Sequence, residues 1–146
     1  MEYREANVLD LNGILELYSC LNPEEKQLSI KKAEDIWNLI ASNPGLKYFI
    51  AAENGKVLST CNISIIPNLT RGGRPFAIIE NVVTDPAYRK KGLGKGVVKM
   101  AVGHAKKENC YKVILMSSVD RQEAHAFYEK IGFNGNSKKG YEMRIP

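Results

Sequence analysis

Phe76-Ala77-Ile78-Ile79-Glu80-Asn81-Val82-Val83-Thr84 and Tyr111-Lys112-Val113-Ile114-Leu115-Met116-Ser117 are two apolar runs of strand length. Between them Leu93, Val97, Met100, Ala101 and Ala105 recur at the spacing of one helical face, and Glu108-Asn109 hands the helix over to the second run. Strand, crossing helix and strand imply a parallel pair, because the helix carries the chain back to the end of the sheet at which it started. The first of the two runs is interrupted by the polar pair Glu80-Asn81.

Working outward from this unit, Asn54-Gly55 lies between β-rich residues 46–53 and 56–66. That dipeptide is a strong signal for a two-residue hairpin, since both central positions need positive φ. Further upstream, residues 2–7 read as a strand. Asp10 starts a helix whose Leu11, Ile14, Leu17, Tyr18 and Leu21 share a face, and Pro23 ends it. Ser29 is the expected N-cap of a second helix that carries Ala33, Ile36, Trp37 and Ile40 on one stripe and stops at Pro44-Gly45. Downstream, Asp120-Arg121-Gln122-Glu123 predicts a capped helix running to Gly132, with Ala124, Phe127, Tyr128 and Ile131 inward. Residues 133–145 predict a closing strand. The order β-α-α-β-β-β-α-β-α-β gives one α/β domain over residues 1–146, a three-layer α/β/α arrangement. Its sheet is mixed and mostly antiparallel, with a central parallel β-α-β crossover.

The chain has 146 residues, 44% hydrophobic and 25% charged, enough for a packed core and unlike a disordered or low-complexity segment. Its longest apolar runs fall far short of the roughly 18 residues needed to cross a bilayer, so no membrane partner is expected. Met1-Glu2-Tyr3-Arg4-Glu5 lacks the basic-then-apolar order of a secretory leader, and a cytoplasmic location is expected. Cys20, Cys61 and Cys110 form no CxxC pair and stand beside no histidine cluster, which suits buried thiols and no metal.

Twenty-one basic against sixteen acidic residues leave a net charge of +5. Arg89, Lys90, Lys91, Lys95 and Lys99 crowd together with no acid among them, around Gly92, Gly94 and Gly96 at the start of the long helix. The first turn of a helix leaves backbone donors unpaired and carries partial positive charge, so this segment suits an anion. Charge focused so tightly favours a compact polyphosphate over a nucleic-acid groove. Two other phosphate motifs do not fit. Gly94-Lys95 is followed by Gly96, where a P-loop needs Ser or Thr, and Val97 stands where a dinucleotide fingerprint needs its third glycine.

The turn Arg89-Lys90-Lys91-Gly92-Leu93-Gly94 resembles the Arg/Gln-x-x-Gly-x-Gly/Ala pyrophosphate turn of the GNAT superfamily of acetyl-coenzyme A-dependent N-acetyltransferases. Phe127-Tyr128-Glu129-Lys130-Ile131-Gly132-Phe133 is similar to that family's Phe-Tyr-x-x-x-Gly-Phe signature. The two motifs and the segments around them cover residues 76–133. The resemblance implies a coenzyme A pyrophosphate on Arg89, Lys90, Lys91, Gly92, Leu93, Gly94 and Lys95, with Phe127 also at the carrier. It further implies a pantetheine arm laid along Val82, Val83 and Thr84 as an added strand. Glu80, Asn109-Cys110-Tyr111-Lys112 and Phe127-Tyr128-Glu129-Lys130 look similar to glucosamine-phosphate acetyltransferases. Two positions depart from them: Asn81 stands for an acidic residue, and Met116-Ser117 stands for Asp-Cys.

Acetyl transfer to an amine needs a base for an ammonium of pKa about 10 and an acid for a thiolate of about 8.5. The family position makes Tyr128 the acid; on periodicity alone it is a core tyrosine. Glu80 is the expected base, or else a structural carboxylate. On a strand of period two it shares a face with Ile78, Val82 and Thr84, roughly 13 Å of strand before the carrier end, a span that calls for water or a bend. His104 and His125 are weaker candidates. Arg71 and Arg74, flanking Gly72-Gly73 in the loop 67–75, can clamp a phosphate or carboxylate on the acceptor, if the loop folds back or a second subunit supplies it. The alternative is a solvated turn or a homodimer contact. The expected activity is N-acetylation of a small-molecule or peptide amine by direct attack in a ternary complex, with acetyl-CoA as co-substrate, no metal and no nucleic acid. A non-catalytic acyl-CoA sensor and a protein N-acetyltransferase are the alternatives.

Overall fold

Asn54 and Gly55 both take positive φ, 50° and 77°, and join β2 (Leu46–Glu53) to β3 (Lys56–Ile66) through the closing pair Glu53↔Lys56. Two left-handed residues twist the chain in the sense that flanking strands require. β1 (Glu2–Glu5) lies antiparallel on the outer side of β2, and β4 (Phe76–Thr84) antiparallel to β3. Tyr111 donates to the Pro75 carbonyl at 2.9 Å and Ala77 to that of Lys112 at 3.0 Å. These bonds advance in the same direction along both segments, so β5 (Val113–Leu115) joins β4 in parallel and completes the sheet order β1-β2-β3-β4-β5. The computed structural model describes residues 1–146 and divides them into two compact units, Met1–Ile114 and Leu115–Pro146.

In the first unit α1 (Leu11–Leu21) and α2 (Ile30–Ser42) cover one sheet face. Leu11, Ile14, Leu17, Ala33 and Trp37 bury themselves there against Ile50, Ala52, Val57 and Val83. Each large aliphatic so buried is worth about 1.5–3 kcal/mol. Ser29 caps α2 as expected, accepting from the Lys32 amide. Asp10 precedes α1 but does not cap it. Its carboxylate takes a forked pair of hydrogen bonds from Arg4, at 2.6 and 2.8 Å, and one from the Asn7 amide. The opposite face holds α3 (Leu93–Lys107), whose Leu93, Val97, Val98, Ala101 and Ala105 are buried. Cys61 meets it there, with Sγ 3.4 Å from the Val97 carbonyl oxygen. No helix is long and apolar enough to cross a membrane.

β4 does not alternate evenly. Cys61 faces α3; two residues on, Ile63 faces the same way, and so does its partner Ile79. Val83, however, belongs to the core under α1 and α2, although four residues along an unbroken strand would keep it on the face of Ile79. The reversal occurs at Asn81, φ 52°, where pairing jumps from Asn62↔Glu80 to Thr60↔Val83. Asn81 and Val82 thus oppose Cys61 alone, which is a β-bulge. The face of Glu80 therefore continues at Val83, correcting the expected grouping with Val82 and Thr84.

In the second unit α4 spans Gln122–Lys130 with no side-chain cap, so Asp120 does not have its expected role. The helix ends in a paired-bond stop: Phe133 N donates to the Tyr128 carbonyl and Gly132 N to that of Glu129, with Gly132 at φ 112°. The closing strand expected over 133–145 does not form. Asn134 instead nucleates turns, accepting from Asn136 N and Ser137 Oγ, and the alternating Tyr141, Met143 and Ile145 are exposed. An alternating pattern makes a strand only when a neighbour supplies the ladder.

Candidate active site: the turn before α3 and the bulge in β4

The chain leaves β4 through Asp85, which fixes the next turn three ways. Its amide donates to the Leu58 carbonyl at 2.8 Å, its carboxylate accepts from the Ala87 amide at 2.9 Å, and Lys56 Nζ lies 2.8 Å from it. The Lys56 hydrogen bond, followed by that from Ala87, holds this carboxyl below the usual range. A single 3-10 turn over Pro86–Tyr88 follows. Lys90 and Gly92 then take φ of 62° and 84°, and Gly92 occupies the N-cap position of α3, where no side chain of the protein caps the helix. Leu93, 4% exposed, anchors the turn to the core. Arg89, Lys90, Lys91, Lys95 and Lys99 are exposed and none is in an ion pair. Lys91 lies over the Tyr88 ring, 4.7 Å from its centre. Uncapped amides at a helix start, with exposed cations around them, are an arrangement that suits an anion. Gly96 has a separate reason to be small: a Cβ there would overlap the Tyr3 ring.

The bulge sits between this turn and Glu80. Glu80 is exposed and pairs across the strands with Asn62, which pairs in turn with Tyr48. Past the bulge, Thr84 Oγ1 lies 2.8 Å from Ser59 Oγ, which also reaches the Val83 carbonyl at 3.1 Å. Val82 is half-buried, and the extra residue leaves local backbone outside the ladder with β3. Cys61 is unsuited to nucleophilic work: it is buried, and desolvation pushes its thiol up to about 12.

In the second unit Tyr128 is half-buried between the rings of Phe127, at 5.1 Å, and Phe133, at 6.1 Å, both edge-on. The Gly132-Phe133 pair is thereby accounted for locally. Gly132 supplies the left-handed residue that stops α4, and Phe133 closes over the tyrosine one turn back. His125 lies 2.7 Å from the Ser118 carbonyl oxygen, and His104 is on α3 beside Phe49.

Arg71 and Arg74 are not brought to Glu80 within the chain. Arg74 donates from Nε to the Asn109 carbonyl at 3.1 Å and from Nη2 to that of Cys110 at 3.0 Å. Arg71 lies over the Tyr111 ring. The loop is tied to the far end of the crossover, roughly 20 Å of strand before Glu80. Asn62 and Tyr48, in contrast, share the cross-strand rung of Glu80, and the sequence signal for that rung was a polar residue, Asn62, inside an apolar strand.

Residues 11–133 match the family described as the acetyltransferase (GNAT) family. The chain belongs to it. As a GNAT protein it is an acyltransferase, and its relatives make it an N-acetyltransferase. The glucosamine 6-phosphate N-acetyltransferase of Trypanosoma brucei brucei is 35% identical over 99% of this chain and 95% of its own. Among solved structures, a putative acetyltransferase from Agrobacterium tumefaciens superposes with a TM-score of 0.95 at 44% identity, over 99% of this chain and all of that one. The glucosamine-6-phosphate N-acetyltransferase from Arabidopsis thaliana gives 0.86 at 30% identity, over 99% of this GNAT chain and 97% of its own.

Proposed function

We propose that the protein transfers the acetyl group of acetyl-CoA to the primary amine of an amino-sugar phosphate, by direct attack. The observation that carries the acceptor class is the likeness, over nearly the whole chain, to glucosamine 6-phosphate N-acetyltransferase. The uncapped start of α3 and its free cations support a diphosphate-bearing donor there. The amides of Lys90 to Lys95 hold the pyrophosphate, and the backbone of Val82 to Thr84 receives the pantetheine arm. Glu80 takes the ammonium proton, directly or through one water. The free amine then attacks the thioester carbon, the C–S bond breaks, and Tyr128 gives its proton to the departing thiolate and takes back the second proton of the attacking nitrogen, which leaves a neutral amide, free thiol and one proton on Glu80. A backbone N–H at the bulge supports the oxyanion. The unpaired Cys20, Cys61 and Cys110 fit a reducing, cytoplasmic setting.

The test is thiol release from acetyl-CoA by the purified chain, offered glucosamine 6-phosphate, glucosamine, an N-terminal peptide and a lysine peptide. Turnover with the sugar phosphate exceeding the other three supports the reading. A preference for either peptide replaces it with a protein N-acetyltransferase, and tight acetyl-CoA binding with no acceptor turned over replaces it with a sensor.

A further inference from the structure

Asp85 is the sole acid in residues 81–107, the stretch that also carries Arg89, Lys90, Lys91, Lys95 and Lys99. Its carboxylate caps the 3-10 turn that leads to the start of α3, accepting from the Ala87 amide at 2.9 Å. Only 18% of the side chain is exposed, so water screens its charge poorly. Arg89 adds a smaller pull to those that hold this carboxyl below the usual range. The acid and the cationic turn therefore act on each other, and a negative charge of the protein stands beside the place proposed for a diphosphate.

The compensating charge comes from another strand. Lys56 opens β3, and its Nζ lies 2.8 Å from Asp85 Oδ2. The same ammonium is 5.5 Å from the centre of the Tyr88 ring, over which Lys91 also lies, at 4.7 Å. The two ammoniums are thereby within about one Debye length of each other, roughly 10 Å at 0.1 M salt. Lys56 is 29 residues from Asp85 in sequence, so the clustering of charge around the glycines does not mark it. With 55% of the Lys56 side chain exposed, the pair does little for stability. What it changes is the charge that the turn presents. With Lys56 in place Asp85 caps the turn as half of a neutral pair; without it a bare carboxylate stands there.

We propose that Lys56 is a positioning residue for the carrier: it neutralises Asp85 and shares the Tyr88 ring with Lys91, so that the capped turn presents net positive charge to the diphosphate. The inference rests on the reading of the turn as the acetyl-CoA site and adds a residue outside its motif that sets the charge there. The experiment is calorimetry of acetyl-CoA at 0.1 M and 1 M salt, with Debye lengths of about 10 and 3 Å. It uses the unaltered chain, Lys56→Met, Asp85→Asn and the double variant; asparagine keeps a side-chain oxygen for the Ala87 amide. At low salt, affinity should follow the charge left at the pair. Lys56→Met should bind about fivefold more weakly, Asp85→Asn about fivefold more tightly, and the double variant within about twofold of the unaltered chain. These differences should collapse at high salt, and Lys56→Arg should bind as the unaltered chain does. A bridge that merely braced the turn would weaken binding in every variant that breaks it, at either salt. That pattern, or unchanged affinity in Lys56→Met, overturns this inference and leaves the carrier reading standing. If Lys56→Met does not fold, Asp85→Asn decides: tighter binding supports the charge role, and equal or weaker binding overturns it. No binding of acetyl-CoA by the unaltered chain overturns the carrier reading, and this inference with it.

Discussion

The loop 67–75 and the turn 89–95 look alike as sequence: each sets arginine or lysine around glycines, and each contains residues with positive φ. They differ in how their hydrogen-bonding capacity is used. In the loop, Asn68 Nδ2 bonds the Thr70 carbonyl, the Thr70 hydroxyl and the Arg74 carbonyl, while the Arg74 guanidinium is committed to two carbonyls of the Asn109-Cys110 turn. In the turn, the amides at the start of α3 meet no capping side chain, and none of the five cations is tied up in a salt bridge. Positive charge and glycine do not by themselves make an anion site. An anion also needs donors left over after the fold has taken its share.

The largest effect should come from Gly94→Glu. A carboxylate in the first turn of a helix favours the helix, so the fold should be kept. It would also face a pyrophosphate at the proposed place, and like charges about 4 Å apart at an effective dielectric of 20 repel by about 4 kcal/mol. Acetyl-CoA affinity measured by calorimetry should fall about 10³-fold, and Leu69→Glu at the exposed loop should leave it unchanged. Equal losses at the two places would erase the distinction between them.

Next come the groups assigned to proton transfer. Tyr128→Phe and Glu80→Gln should each lower kcat by about 10²-fold, with carrier affinity kept. The Glu80 variant should recover part of its rate above pH 9, where more of the amine is free. A flat pH profile for Glu80→Gln would reduce that residue to a structural carboxylate.

Arg4 is another arginine that has found its partner within the fold, and it gives a scale for Arg74. The hydrogen bond from Arg4, with that from the Asn7 amide, lowers the pKa of Asp10 against the opposing pull of burial. A carboxyl depressed in the folded state contributes stability above its unfolded pKa of about 3.9 and loses it as pH falls through the folded value. Asp10→Asn should therefore cost about 1–2 kcal/mol near neutral pH, and chemical denaturation should show the gap to the unaltered chain closing below about pH 4. Arg74→Ala should give the smallest effect, about 1 kcal/mol of stability, with no change in acetyl-CoA affinity. A raised KM for phosphorylated acceptors in that variant would restore the loop as an anion clamp.

Much of this was legible locally. The limits of β2, β3 and β4 agree with their apolar runs to the residue, the Asn54-Gly55 turn sets its hairpin, and Ser29 caps α2. What failed depended on partners distant in sequence. An unbroken hairpin would set Tyr48 opposite Cys61; the register shift at Ala51/Ala52 sets it opposite Asn62 instead, and no local signal announces that shift. The Glu80-Asn81 interruption did mark the bulge, since Asn is among the few side chains that tolerate a left-handed backbone, but its effect on facing needed the neighbouring strand. The role of Arg74 was hidden because the carbonyls it bonds lie 35 and 36 residues onward. Residues 133–145 carry a strand pattern with no ladder to realise it.

The contact between Tyr3 and Gly96 bears on how the protein is best made and handled. The ring of Tyr3 and its counterpart at the start of α3 are distant in sequence, so β1 and α3 meet only once the chain between them has been made. A change at Tyr3 therefore reaches beyond β1: a smaller side chain there would bare the glycine side of α3 and loosen the helix whose opening turn is proposed for the carrier.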